Sequence, residues 1–392
     1  MPFEERSIVS HREEFCRLAS ASGSNVRELC RRFGISSATA YLWLGRYEAG
    51  GRAGLGDRSR RPLSSPRRTP DDMEARVAAI RLAHPAWGGR KIRRVLETQG
   101  AVPPSASTIT QILRRLQLLD GPGVGAKPAG RRFEYATPNE LWQMDFKGHF
   151  ALREGRCHPL TVLDDHSRYA LELGACADEQ TLTVRSRLQR VFERYGLPRR
   201  ILADNGSPWG SSGTGGRHTR LTIWLLDLGV GIAHGRPYHP QTQGKDERFH
   251  RTLKAEVLDG RTFADLPHAQ DAFDAWRDIY NLKRPHEALD LDTPSTRYEM
   301  SPRRMPRHIA PPDYEPGVPV RKVHPGGWFQ FKGRMFYCSA AYEGLQVALR
   351  PAGPDGLLHL CYRSHVLGQF DLRQPNKTVQ DVPEHPFTLS PV

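Results

Sequence analysis

Leu141-Trp142-Gln143-Met144-Asp145-Phe146 sets one carboxylate inside an apolar run. Read as part of a strand over 140–152, the run surrounds Asp145 with Trp142, Met144 and Phe146. A lone charge there is costly to bury, and a cation beside it removes the cost. The texture around it alternates. A strand is expected over 159–173, an amphipathic helix over 178–195 ended by Gly196-Leu197-Pro198, and a short strand over 200–203. A helix over 221–228, a strand over 232–234 and helices over 241–258 and 266–282 follow. Strands and helices in alternation predict a mixed α/β domain over 133–300.

Two further acids stand out. Asp204 follows the strand and precedes Asn205-Gly206, at the carboxyl end where α/β folds place their sites. On the helix over 241–258, Phe249, Leu253 and Val257 recur every four residues and take the core side. Glu247, Arg251 and Lys254 share another face. Carboxylates from separate strands and a helix suit a pair of Mg²⁺ ions, which prefer hard oxygen ligands. Such a pair serves the attacking and leaving oxygens of a phosphoryl displacement, and Arg251 and Lys254 can then hold a DNA backbone. Singly, Asp204 reads as a turn residue and Glu247 as a surface charge; their joint placement with Asp145 singles them out.

Outward from this domain the composition changes. The chain has 392 residues, with Lys plus Arg at 57 against 43 Asp plus Glu, a net charge of +14. Several domains are expected at that length. Nearly all of the surplus lies in the first 132 residues, which marks a polyanion-binding front on a near-neutral body. Over 1–55, Asn25 can cap a helix carrying Val26, Leu29 and Cys30. Phe33-Gly34 makes a turn, and Ser36 or Ser37 can cap the next helix. This is the layout of a helix-turn-helix DNA reader, with Ser37, Thr39, Ala40 and Arg46 on its polar side and Tyr41, Leu42 and Leu44 nearer the core. A plain helical hairpin is the rival, and the charge favours DNA. The arm over 56–70 holds Arg58, Arg60 and Arg61 among Pro and Ser, extended rather than helical. It can follow phosphates or serve as a linker. A second helix-turn-helix is expected over 71–120, starting at Thr69-Pro70-Asp71-Asp72. There Arg90, Lys91, Arg93 and Arg94 surround an apolar stripe of Ile92, Val95 and Leu96, and Ser107 and Thr108 begin the reading helix. Gly and Pro in 121–132 form a linker.

Beyond Pro302 the chain is Pro-rich. Over 315–375, residues such as Trp328, Phe329, Phe336, Val347 and Tyr362 alternate with Gly turns, which predicts a small β-barrel or sandwich. Six Cys, none in a CxxC pair, fit free thiols in a reducing cytoplasm rather than a disulfide scaffold. His234, His239, His250 and His286 lack metal-ligand spacing, so no zinc is expected; His239 and Gln241 instead suit DNA contact or the shaping of a loop. The most apolar stretch, 221–232, is too short to cross a bilayer and contains Asp227. The charged amino terminus lacks the apolar core of a secretory signal. No membrane role is expected.

Together LWQMDF, LADNGSPW, RPYHPQTQGKDERFHRTLKAE and YNLKRPHEALDLDTP resemble the core signatures of retroviral-integrase-like bacterial transposases. The resemblance is strongest to the insertion sequence 481 family, related to the insertion sequence 3 group, and extends over 10–300. It implies an RNase H-like fold with a DDE triad that binds Mg²⁺ or Mn²⁺, two ions per site. Matched motif by motif, the triad falls on Asp145, Asp204 and Glu247. The interval between the last two exceeds the family's usual one, and the Gly/Ser-rich 207–217 segment accounts for the excess as a loop. Asp164 and Asp165 in LDDHSRY match an acid that is not a metal ligand in this superfamily. Asp246 is turned about 100° from Glu247 around the helix. Tyr280, Asn281, Arg284, Pro285 and His286 either brace the site or simply pack. The His and Cys pairs of the retroviral integrases' zinc module are missing. The resemblance further implies a homodimer or larger assembly, because two element ends must be joined.

The expected function is that of an insertion-sequence DNA transposase in the bacterial cytoplasm, on the nucleoid. The helical modules bind terminal inverted repeats, and the α/β domain carries out metal-dependent 3′-end cleavage and strand transfer into target DNA. The rivals are a catalytically silent, transposase-derived repressor and a nuclease for RNA–DNA hybrids.

Overall fold

The computed structural model describes residues 7–58, 68–119, 134–204, 206–210, 218–234, 244–353, 355–375 and 378–380. The chain divides into two units, Met1–Arg68 and Thr69–Val392.

In the first unit, short polar side chains start each helix. Ser7, Asn25 and Ser36 accept from the backbone N–H three residues on, opening α1 (Ile8–Ala19), α2 (Val26–Phe33) and α3 (Ser37–Gly50). Gly34, at φ +63°, closes α2 and lets the chain turn into α3. Phe15, Cys16, Cys30, Ala40 and Leu55 form the core. The expected facing of α3 is corrected here. Ala40 is buried, whereas Tyr41 is 64% and Leu42 51% exposed. The helix is apolar on almost every side, so its pattern does not select a face, and the small Ala40 is the residue that fits beside Phe15 and Cys30.

The second unit opens with α4 (Asp71–Ala83), α5 (Gly89–Thr98) and α6 (Ala106–Arg115) around Val77, Trp87, Ile92, Leu96, Ile109 and Leu113. Gly89 is required where α5 meets α6, because a Cβ there would lie 2.4 Å from the Ala106 carbonyl oxygen.

The central sheet comprises β1 (Leu141–Phe146), β2 (Phe150–Ala151), β3 (Arg156–Asp164), β4 (Ala170–Cys176), β5 (Arg200–Ala203) and β6 (Gly231–His234). Strand β3 pairs antiparallel with β1, β2 and β4, while β1, β5 and β6 run parallel. Helices α7 (Thr181–Tyr195) and α8 (Arg220–Asp227) cover one face over Trp142, Met144, Leu160 and Val162. On the other face, α9 (Gly244–Leu253), its π-helical continuation Lys254–Leu258 and α10 (Leu266–Leu282) cover Leu163, Ala170, Leu173 and Ala175. Alternate residues of β3 and β4 thus feed two cores. This is the RNase H-like arrangement.

The two long strands expected over 140–152 and 159–173 are each broken. Gly148, at φ +86°, turns β1 into β2. The Asp164 carboxylate accepts from the Ser167 N–H (2.8 Å) and Oγ (2.6 Å), folding a turn between β3 and β4. The apolar periodicity runs straight through both turns, which hid them.

At the carboxyl end are β7 (Val320–Lys322), β8 (Trp328–Phe331), β9 (Arg334–Tyr337), β10 (Gln346–Pro351), β11 (Leu357–Tyr362) and β12 (His365–Asp371). Among the described residues the expected barrel does not close. A four-stranded sheet ordered β12-β11-β10-β7 faces a separate β8–β9 hairpin across Phe329, Phe336, Val347, Leu360 and Phe370. Closure needs a continuous ladder around the ring. Gly326 and Gly327, both at positive φ, turn the hairpin off β7, and the hairpin strands pair with each other. Asp227 of α8 anchors these strands, accepting from the Tyr362 hydroxyl and the Arg363 guanidinium at 2.7 Å each.

Candidate active site

Strand β1 carries Asp145 to its carboxyl end. The parallel register sets Gln143 beside Leu202, so two residues further on Asp145 and Asp204 stand at the same height. Asp204 is held just past β5: its Oδ1 accepts from the Gly206 N–H (3.0 Å) and from the Trp209 indole. Trp209 also stacks on Phe146, centroids 5.5 Å apart, so it shields both strand ends. The Asp204 carbonyl accepts from His234 Nδ1 at 2.8 Å, tying it to β6.

Helix α9 brings the third acid. Phe249, Leu253 and Val257 are buried and Glu247 is exposed, as are Arg251 and Lys254. Two polar tethers fix the helix. Lys245 pairs with Asp165. His250 Nε2 lies 3.0 Å from the Thr161 hydroxyl, which itself donates to the Asp145 carbonyl at 3.0 Å. With that hydroxyl proton committed, the imidazole N–H is the donor to Thr161. Burial and the Lys147 charge hold His250 down at about 4, hence neutral. A chain of two hydrogen bonds therefore links the helix of Glu247 to the strand of Asp145.

Asp145 senses the other two acids. Burial first, then the charge on Asp204, with smaller effects of Glu179 and Glu247, push the Asp145 carboxyl up to about 7, against a lowering by the Phe146 N–H. Such crowding of like charges suits a cation. The donors are hard oxygens of the kind Mg²⁺ and Mn²⁺ take. No three acidic, His or Cys side chains among the described residues stand close enough to enclose an ion.

Other acids nearby divide clearly. Asp164 accepts from the Asn139 N–H as well as Ser167, and Asp165 from the Tyr135 N–H, Gln143 and Lys245. Both are structural. Asp246 is buried, its two oxygens have no hydrogen-bond partner among the described residues, and burial with Asp145 and Asp165 raises its pKa well above the carboxylate range. Glu179, bonded to His158 at 2.8 Å, lies near enough to act on Asp145. Sequence reasoning missed Glu179, Trp209, Thr161 and the role of His250. Trp209 sat inside a quoted motif, but nothing local marks its indole as a donor to Asp204.

The YNLKRPH segment is bonded to β4 and to the π-helical turn after α9. Asn281 grips Ala170 of β4 through both backbone groups (2.8 and 3.0 Å). Arg284 forms a buried ion pair with Glu256 at 2.9 Å. Tyr280 packs between Phe249 and His286.

The remaining residues expected to meet DNA are dispersed. Ser37 is exposed at the start of α3, Thr39 is half-buried with its hydroxyl 2.9 Å from Ser36 Oγ, and Arg46 lies over Trp43. Arg58 is exposed. On α5, Arg90 lies 3.7 Å from Glu287, Arg94 pairs with Asp292, and Arg93 pairs with Glu97 at 2.9 Å. Burial, with Arg284 adding to it, lowers Lys91 to about 8. Much of the expected basic face of α5 is thus turned to the loop after α10. Thr108, half-buried, sits at the start of α6 with its hydroxyl 2.9 Å from Ser105 Oγ. Arg60, Arg61, His239 and Gln241 lie outside the described residues.

Two integrase core domain profiles match, over 136–240 and 228–294. A helix-turn-helix domain profile matches 11–62 and a homeodomain-like one 39–113. The IS481 family transposase C-terminal domain matches 318–378. Among similar proteins, an uncharacterized protein of insertion element IS407 from Burkholderia multivorans is 30% identical over 41% of this chain and 55% of its own length. The chain thus spans about half of that relative. An uncharacterized protein of insertion element IS476 from Xanthomonas euvesicatoria is 25% identical over 62% of this chain and 69% of its own. A putative transposase for insertion sequence element IS5376 from Geobacillus stearothermophilus is 23% identical over 67% of each. Among solved structures, a simian T-cell lymphotropic virus intasome chain aligns at 18% identity over 72% of this chain and 91% of its own, TM-score 0.39. Motifs and profiles agree from the helix-turn-helix through the integrase core to the last strands, a domain order consistent with an insertion sequence 481 family transposase.

Proposed function

We propose that the protein is the DNA transposase of an insertion sequence, with Asp145, Asp204 and Glu247 as its catalytic acids. The observation that supports this is that Asp145, on β1, feels the charge of Asp204 after β5 and of Glu247 on α9. The helical modules bind the terminal inverted repeats. Water attacks the phosphorus at the element end, the P–O3′ bond breaks, and a 3′-OH is freed. That 3′-OH attacks a target phosphodiester in turn, so one diester replaces another and no energy source is consumed. Asp145, Asp204 and Glu247 would hold two Mg²⁺ or Mn²⁺ ions, whose charge stabilises the attacking and leaving oxygens. Arg251 and Lys254, exposed on the face of Glu247, hold the backbone alongside. Two ends joined together call for a homodimer or larger assembly, working on DNA in the bacterial cytoplasm.

The test is Mg²⁺-dependent nicking of a labelled duplex carrying the inverted repeat. Asp145→Asn, Asp204→Asn and Glu247→Gln are each expected to lower cleavage by several orders of magnitude and to leave binding intact. Near-normal cleavage by one of them removes that residue from the triad. Wild-type protein that binds the repeat with metal present and never nicks it makes this a repressor instead.

A further inference from the structure

On the edge of the sheet away from the acids, a cleft gathers positive charge. It has a volume of about 430 Å³ and is lined by Arg199, Arg200, Gly229, Gly231, Arg303 and His365. Arg199 and Arg200 stand where β5 begins, Gly231 where β6 begins, and His365 where β12 begins, so the central domain and the carboxyl-terminal strands build it jointly.

Among the described residues no carboxylate lines the cleft. Arg199 is balanced from one side by Glu140 at 3.2 Å. Arg303 donates to the Gly229 carbonyl (2.7 Å) and the Pro198 carbonyl, and makes no ion pair among the described residues. Arg200 is exposed and makes none either. The charges act on each other: burial and Arg199 lower the Arg303 pKa, and burial with Arg200, Arg303 and Arg363 lowers that of His365, whose Nε2 has no hydrogen-bond partner among the described residues. Glycine keeps the cleft open. A Cβ on Gly229 would come within 3.1 Å of Arg303 Nη2, and one on Gly231 within 3.2 Å of Arg200 Cγ. With Glu140 beside Arg199 alone, the guanidinium groups still repel one another, and an arriving oxyanion relieves that repulsion while taking paired N–H bonds from the arginine fork.

We propose that this cleft is a second phosphate site, separate from the acidic one, and that its occupant is a backbone phosphate of the DNA on which the transposase works. The inference rests on the DNA-handling role proposed above. Nearly all of the +14 charge lies in the first 132 residues and marks the chain for a polyanion, which favours a phosphate of that polymer over a small free ion. Asp204 and Arg200 bracket β5, about 13 Å apart at ~3.3 Å per residue. Nucleotides rise about 3.4 Å each along a strand, so the phosphate in the cleft is a different one from the scissile one.

The experiment measures affinity of the full-length protein for a repeat-bearing duplex across a salt series, with ethylation interference on the same DNA. Each phosphate that is no longer neutralised is expected to shallow the log–log slope by about 0.9. Arg200→Ala, and more so Arg199→Ala/Arg200→Ala, should show this and should lose one interference position away from the cleaved bond. Arg200→Lys keeps the slope. An unchanged slope with an unchanged interference pattern overturns the proposal. So does a thermal shift with inorganic phosphate that Arg200→Ala abolishes while its DNA slope stays at the wild-type value, because the cleft then takes a free anion. The comparison is repeated in an Asp145→Asn background. A protein that never nicks defeats the transposase reading and leaves this binding comparison standing.

Discussion

Asp246 and Glu247 are adjacent in the chain and opposite in environment. Glu247 is exposed, while Asp246 is sealed in the core, where burial raises its pKa well above the usual value. Asp246→Asn keeps the size of the side chain. Cleavage within about threefold of wild type is expected for it, against a loss of several orders for Glu247→Gln; single-turnover nicking by the two variants reads the difference. Asp145 makes stability depend on pH. Its carboxyl titrates near 3.9 in an unfolded chain and at about 7 in the fold. The folded state therefore keeps the proton longer, and its stabilising contribution is full at acid pH and lost as pH rises from about 4 through about 7. Metal-free wild type should lose about 1–2 kcal/mol across that window after solvent screening, and Asp145→Asn should not. Melts at pH 4.5 and pH 8 test this. Added Mg²⁺ should raise the wild-type Tm at pH 8 and leave Asp145→Asn unmoved.

At the scale of elements, α9 is the one that must be held. Its apolar stripe sets which side faces the sheet, but a stripe lets a helix slide and roll. The Lys245–Asp165 pair, the His250–Thr161 bond and the Glu256–Arg284 pair remove that freedom. The π-helical turn Lys254–Leu258 carries Glu256, which accepts from both Arg284 and the Trp276 indole. Glu256→Ala leaves Arg284 buried and unpaired, so a cost of about 3–5 kcal/mol is expected by chemical denaturation. His250→Ala should keep DNA affinity and slow cleavage by tenfold or more, as Glu247 loses its fixed relation to Asp145. Helix α3 raises a different matter. Its Tyr41 and Leu42 present exposed apolar surface, and the thymine methyl is the apolar feature of the major groove that such a surface would meet if α3 read DNA. Replacing repeat thymines by uracil should weaken wild-type binding severalfold and leave Tyr41→Ala/Leu42→Ala indifferent; equal losses in both would assign the pair to another role.

For the whole molecule, charge is divided unevenly between a basic front and a near-neutral body. Alanine at Arg58, Arg60 and Arg61 should shallow the salt dependence of repeat binding by up to about 0.9 for each phosphate the arm no longer holds; an unaltered slope would make the arm a tether. Much of this organisation is legible in the chain itself. Asp204 stands directly after a four-residue strand, Ser36 and Asn25 cap as their chemistry dictates, and Phe249, Leu253 and Val257 name the buried side of α9. Such features depend on residues a few positions apart, where period, cap and turn chemistry act directly. The facing of α3, the breaks at Gly148 and Asp164, the hydrogen bond from Trp209 to Asp204, and the pairing of Arg90 and Arg94 with Glu287 and Asp292 were decided by tertiary structure. In each, the deciding neighbour is remote in the chain, or several local patterns fit equally well and packing selects one. Three acids were apparent in the sequence; that they share one electrostatic environment follows only from folding β1, β5 and α9 together, because the field at a carboxylate depends on distances in space.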